Sequence, residues 1–275
     1  MCRSCAVSLV HIGRPQPVHI GRLWLVHIGR LSLVQYRTAT DTGTHFGRKG
    51  IDTMSVITIS REFGSVGDDF GEGIAQALGY HCLCKEEIGA LLSQYGMVEF
   101  DREYETQPGF WEGFISGRDQ RRSDMVGMLN QVVQAVAQHG NIVIQGRSGF
   151  AVLADYADVL HVRVQAPLAV RIERVAAQQE MTAEQAAAVV KEADRVRTAF
   201  VENFYGVPWD AIQAFDLVIN TGKISPDLAM PWVVSAAKAL ALSPATGKPT
   251  TRSIEVDSVL AKAVSDVLRC KATHS

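Results

Sequence analysis

The chain contains no run of about 18 apolar residues, so no membrane-spanning helix is expected. It has no basic excess either: 27 Lys/Arg stand against 29 Asp/Glu, for a formal net charge of −2. A nucleic-acid partner therefore has no support in the composition. Cysteine is scarce, with Cys2, Cys5, Cys82, Cys84 and Cys270 irregularly spread and odd in number. That usage argues against a disulfide framework and for reduced thiols in the cytoplasm. Neither Cys2-x-x-Cys5 nor Cys82-x-Cys84 has further ligands at zinc-site spacing. His81, His139 and His161 show no partner pattern and read as structural.

What is present divides into three segments, 1–53, 54–242 and 243–275. Val10-His11-Ile12-Gly13-Arg14 recurs at Val18–Arg22 and at Val26–Arg30. Three such short copies cannot bury a core of their own. Residues 1–53 carry seven Lys/Arg against two Asp/Glu, whereas the remainder is acidic. Met54 stands directly before the first strand of the following domain. The segment is expected to be sequence ahead of a true start at Met54, with a disordered extension and a targeting peptide as the other readings.

From Met54 onward, five apolar runs alternate with helical patterns: Val56–Ile59, Tyr80–Leu83, Asn141–Ile144, Val159–Val164 and Asp216–Ile219. Between them, Met125, Leu129, Val132, Val133 and Val136 fall at helical spacing and end at His139-Gly140. A second pattern covers Val170, Ile172 and Val175, and a third Ala183–Phe204. This alternation predicts an α/β fold, a five-stranded parallel sheet flanked by helices. Ser243–Pro249 reads as a linker. The apolar positions from Ile254 to Leu268 predict a last helix that packs back on the domain or meets a partner.

Three clusters could carry chemistry. The first strand runs into Arg61-Glu62-Phe63-Gly64-Ser65-Val66-Gly67-Asp68-Asp69. A glycine loop between a strand and a helix N-terminus suits an anion, because backbone N–H groups can approach a phosphate closely. Here Gly64, Ser65, Gly67, Asp68 and Asp69 would line it, and Arg61 is the nearest cation. No lysine follows the last glycine. Asp68 and Asp69 would repel a polyphosphate unless Mg²⁺ lay between, which makes Asp69 a candidate metal ligand. The plain alternative is a tight turn in which the two acids cap the helix. The second cluster is Gln145-Gly146-Arg147-Ser148 at the end of a central strand, where open α/β sheets bind ligands. Arg147 is either a substrate contact or a structural arginine. The third pairs Arg171 and Arg174 with Asp194 and Arg197, each pair at i, i+3, on two helices joined near Gln179–Thr182. Such helices could close over phosphates as a lid, or form a solvated, salt-bridged hairpin.

Taken in order, these pieces resemble the cytidylate kinase-like family of P-loop nucleotide kinases. Ile57–Ser65 with Gly67 is similar to the family's opening signature, and Ile144–Arg147 to its second motif. Asp194-x-x-Arg197, Phe204-Tyr205-Gly206, Trp209 and Phe215–Thr221 are similar to its closing one. The resemblance covers about residues 55–240. It implies a P-loop NTPase three-layer fold with an acceptor region near 84–125 and a helical lid near 174–200. It also implies phosphoryl transfer from ATP, with Mg²⁺, to a nucleoside monophosphate, CMP or dCMP. By that resemblance Gly64 to Asp69 hold the donor phosphates, and Gly146, Arg147 and Glu105 meet the acceptor. Arg171, Arg174 and Arg197, with Asp194, gather at the transferring group. Members with full activity carry Gly-Lys-Ser/Thr in the loop and Asp-Gly-Arg-Asp at the central strand. The alternative reading is thus a nucleotide-binding regulatory module without phosphoryl transfer.

Overall fold

The computed structural model describes residues 55–65, 69–83, 85–94, 120–146, 149–242 and 247–272, together with two short strands near the N-terminus. Those strands, β1 (Val18–Ile20) and β2 (Leu23–Leu25), pair antiparallel. They cover the start of the second sequence repeat and the three residues ahead of the third, and belong to a separate unit, Met1–Ile51.

The second unit, Asp52–Ser275, is built on five parallel strands in the order β4-β5-β3-β6-β7. These are β3 (Val56–Arg61), β4 (His81–Leu83), β5 (Ile142–Gln145), β6 (Val159–Gln165) and β7 (Leu217–Asn220). The expected parallel α/β sheet is therefore present. Three strand starts differ from the sequence expectation by one residue; the first is β4, which begins at His81 and not Tyr80. Asn141 adopts φ 52, a left-handed conformation that asparagine tolerates in turns, so β5 begins at Ile142. Asp216 gives its N–H to His161 O at 2.8 Å ahead of β7, which begins at Leu217.

Side chains alternate between the two faces, as the pleat requires. Val56, Ile142, Ile144 and Val159 join one core cluster, and Ile57, Ile59, Val143, Val162 and Val164 the other. The first face is covered by α2 (Lys85–Gln94), α3 (Gln120–His139), the short α4 (Gly149–Val152) and α8 (Ser258–Ala272). The second is covered by α1 (Asp69–Leu78) and α7 (Pro226–Leu242). The C-terminal helix thus packs back on its own domain: Leu260, Val264 and Leu268 are buried with Leu91, Leu129 and Val133. Each such side chain contributes up to about 1.5–3 kcal/mol by burial.

Two further helices, α5 (Leu168–Gln178) and α6 (Ala183–Tyr205), form the hairpin read from the sequence. Thr182 caps α6 with a full capping box: its hydroxyl accepts from Gln185 N–H, and the Gln185 side chain accepts from Thr182 N–H. The hairpin has a small core of Val175, Ala186 and Val190, against which Phe63 from the loop after β3 packs.

Candidate active site

The central strand β3 has β5 on one side and β6 on the other. The chain leaves toward β4 and β5 and later crosses to β6 and β7. The C-terminal end of β3 is therefore a topological switch point, the position where open α/β sheets bind ligands. The turn after β3 stands there.

That turn is fixed from outside by the helical hairpin. Gly64 has φ 76, and an added Cβ would lie 2.9 Å from Val175 Cγ2 and 3.0 Å from Arg171 O. Only glycine fits both the conformation and the space. Ser65 is buried; its N–H donates to Glu62 O at 3.2 Å and its hydroxyl to the same oxygen at 2.8 Å. Arg171 donates to Phe63 O at 3.2 Å, to Ala166 O at 3.0 Å and to Asp194 Oδ2 at 2.6 Å. Arg174 donates to Ser65 O at 2.7 Å, Thr221 Oγ1 at 3.0 Å and Thr221 O at 2.7 Å. Thr221 Oγ1 in turn donates to Ser65 O. Asp194 accepts from Phe63 N–H at 3.4 Å as well. The i, i+3 pair on α5 thus holds backbone carbonyls of the turn, and Asp194 on α6 bridges the hairpin to it.

Sequence reasoning missed three members of this network. Glu62 accepts from Ala166 N–H at 3.1 Å and lies 3.4 Å from Arg171 Nε. Arg163, paired with Ser60 in the β3–β6 register, donates to Ser60 Oγ at 3.1 Å. Its guanidinium lies 4.0 Å from the centre of the Trp209 ring and 5.7 Å from that of Phe215, a stacked, cation–π arrangement. Burial pulls the Arg163 pKa down, and the nearby carboxylates of Glu62 and Asp194 partly offset this. Thr221 is the third. The signal for Arg163 and Trp209 was an arginine inside an apolar strand and an aromatic beyond a helix; their pairing depends on strand register, which one sequence does not contain.

The remaining predicted residues stand as follows. Arg61 ends β3 and is partly exposed. Arg197 lies with its guanidinium 5.3 Å from the Phe63 ring centre, and it donates to Ala193 O at 3.2 Å within α6. Gly146, with φ 79, gives its N–H to Ile59 O at 2.8 Å, which brings the β5 end beside the turn. Asp69 is the first residue of α1. Gly67, Asp68, Glu105 and Arg147 lie outside the described residues. Gly71, in the first turn of α1, lies against the Gln145 amide: a Cβ there would meet Gln145 Oε1 unless that side chain turned away, and would come within 3.4 Å of Cys82 Sγ.

A second polar feature lies deeper in the sheet. His161 is buried, and its Nδ1 lies 2.7 Å from Thr58 Oγ1. Desolvation lowers its pKa, with Asp216 and a backbone hydrogen bond with Leu153 acting in the opposite sense. The imidazole is therefore neutral near pH 7.

A model of the cytidylate kinase-like family matches residues 56–223. The chain belongs to this family. Among curated relatives, the cytidylate kinase of Ignicoccus hospitalis is 32% identical over 99 residues, covering 36% of this chain and 57% of that protein. The cytidylate kinase of Natronomonas pharaonis is 25% identical over 187 residues, 68% of this chain and 91% of the relative. The first three curated relatives are matched over only 46–57% of their own length. A crystal structure of an uncharacterized protein from Eubacterium ventriosum superposes with a TM-score of 0.52 at 17% identity. That comparison covers 67% of this chain and 99% of the other, and it bears on fold alone. The fold is the five-stranded parallel sheet flanked by helices expected from the sequence. Among the described residues, no helix is long and apolar enough to cross a membrane.

For a nucleotide with Mg²⁺, the donor set among the described residues is sparse: no three His, Cys, Asp or Glu side chains cluster as a metal site. Mg²⁺ bound largely through substrate phosphates and one or two carboxylates is compatible with that arrangement.

Proposed function

We propose that the protein transfers the γ-phosphoryl group of ATP to a nucleoside monophosphate, CMP or dCMP, in the cytoplasm. The observation that carries this reading is the turn Glu62–Ser65, which ends the central strand at the sheet's switch point and is held by the hairpin the family resemblance assigns to the lid. In this reading the donor phosphates lie over the Gly64–Asp69 loop. The acceptor is met by Gly146, Arg147 and Glu105. Arg197 approaches the transferring group, with Arg171, Arg174 and Asp194 beside it. Mg²⁺, when bound, neutralises charge on the donor phosphates, and Asp69 is the candidate carboxylate for it. Phosphoryl transfer requires little covalent work from the protein, so positioning and charge are what these residues supply. The oxygen of the acceptor's phosphate attacks the γ-phosphorus, and ADP departs with the bridging oxygen.

The test is coupled ADP release with a panel of monophosphates. ADP formation that needs CMP or dCMP, Mg²⁺ and Arg147 is the expected result. Nucleotide binding by calorimetry without turnover on any acceptor would overturn the transfer step and leave a nucleotide-binding regulatory module.

A further inference from the structure

We infer that Arg174 is a positioning residue for the phosphate loop, acting through the Ser65 carbonyl and Thr221, and does not itself contact nucleotide phosphates. The inference rests on the nucleotide-kinase reading above and goes beyond it, because a lid arginine would otherwise be assigned to the transferring group.

The geometry supplies the argument. One guanidinium nitrogen of Arg174 reaches both Ser65 O and Thr221 Oγ1, and the other reaches Thr221 O, at 2.7–3.0 Å. Those bonds direct the fork of the side chain toward backbone oxygens at the ends of β3 and β7. A bound anion is repelled by any carbonyl oxygen turned toward it, whereas N–H groups attract it. Arg174, on α5, reaches the Gly64 oxygen at 3.5 Å and holds the Ser65 oxygen from the hairpin side. Arg171 does the same for Phe63 O. The peptide unit is planar and trans, with its C=O and N–H on opposite sides. Gripping Phe63 O from α5 therefore turns the Gly64 N–H away from α5. A positive charge behind a carbonyl also polarises the peptide, which strengthens the N–H on its far side. In a loop without the usual lysine, two arginines placed behind the backbone supply part of the missing positive field. Arg174 is the better probe of the two. Among the described residues its bonds include no carboxylate, whereas Arg171 holds both Glu62 and Asp194.

The experiment combines amide hydrogen exchange of the nucleotide-free protein with calorimetric titration of ATP in Mg²⁺. In Arg174→Ala, exchange across Glu62–Ser65 is expected to quicken about tenfold or more, and ATP affinity to fall by a similar factor, the scale of one charge-assisted hydrogen bond. Thr221→Val, which keeps the arginine but removes the bridging hydroxyl, is expected to shift both quantities in the same direction by less. Arg174→Lys is not expected to restore either, since an ammonium cannot fork between Ser65 O and Thr221 O. Weaker ATP binding with unchanged loop exchange would overturn the inference in favour of direct phosphate contact, and unchanged values of both would overturn it outright. If the unaltered protein binds no ATP, the kinase reading fails, while loop exchange in the variants still decides whether Arg174 sets the loop.

Discussion

The rim of the sheet and its α3–α8 side are held together by different physics. At the rim, Arg163, Arg171 and Arg174 lie within reach of Glu62, Asp194 and five backbone carbonyls. Nearly every grip there is a directional hydrogen bond. On the other side, Leu129, Val133, Leu260, Val264 and Leu268 meet through apolar burial. The main polar anchor nearby is Thr251, whose N–H and hydroxyl donate to the Asp158 carboxylate at 2.8 and 2.7 Å. Apolar packing tolerates small shifts of position, whereas forked hydrogen bonds do not. The side that must hold a geometry is fixed by bonds, and the side that must hold the fold together is fixed by area.

Breaking the rim at its centre should have the largest effect. Arg171→Ala leaves Glu62 and Asp194 without their guanidinium, and a broken buried pair costs about 3–5 kcal/mol. Urea unfolding should show that loss, together with rapid amide exchange in the turn after β3. Leu260→Ala attacks the other side and is expected to cost about 2–4 kcal/mol, the range for a truncated core leucine. Its distinguishing outcome is a lowered urea midpoint with loop exchange unchanged below the transition; a loosened turn would show that the two regions are coupled. His161 gives a smaller, pH-dependent effect. Its folded pKa is held below the ordinary 6.5 by burial. Above that value both states are neutral and no pH dependence arises. As pH falls through it, the unfolded chain takes up a proton that the folded chain resists, so stability declines until the folded pKa is reached. His161→Gln should flatten this part of the urea midpoint against pH, and an unaltered acid slope would assign the effect elsewhere. The smallest change is expected at Arg195, which pairs with Glu192 at 2.8 Å on exposed α6. Arg195→Ala should shift stability by about 0.5 kcal/mol or less, as exposed pairs do.

Much of the fold was legible because its signals are local. The mostly apolar runs of β3, β5 and β6 mark strands buried on two faces, and the helical spacing from Met125 to Val136 marks α3. The hairpin of α5 and α6 was visible from Gln179–Thr182, where the capping box begins. At the candidate site, local spacing placed Arg171 and Arg174 on one helix face but not what that face meets. Their partners, Phe63 O, Ser65 O and Thr221, are 47 to 109 residues away in sequence. The stack of Arg163 on Trp209 was hidden for the same reason, and Glu62 read as an ordinary charge beside Arg61. The direction of the C-terminal helix was open because amphipathic spacing gives a buried face and not its partner.

The contact between Gly71 and Gln145 makes two positions share one volume. In the family signature that the sequence resembles, aspartate stands at position 145; here the Gln145 amide occupies the space above Gly71 that a methyl group would take. Aspartate at 145 is one methylene shorter and withdraws from that space. A side chain at position 71 therefore needs the Gln145 amide to turn away or to be shortened, and either change makes the room. Two positions in different elements, 74 residues apart in the chain, are thus linked through one flexible amide.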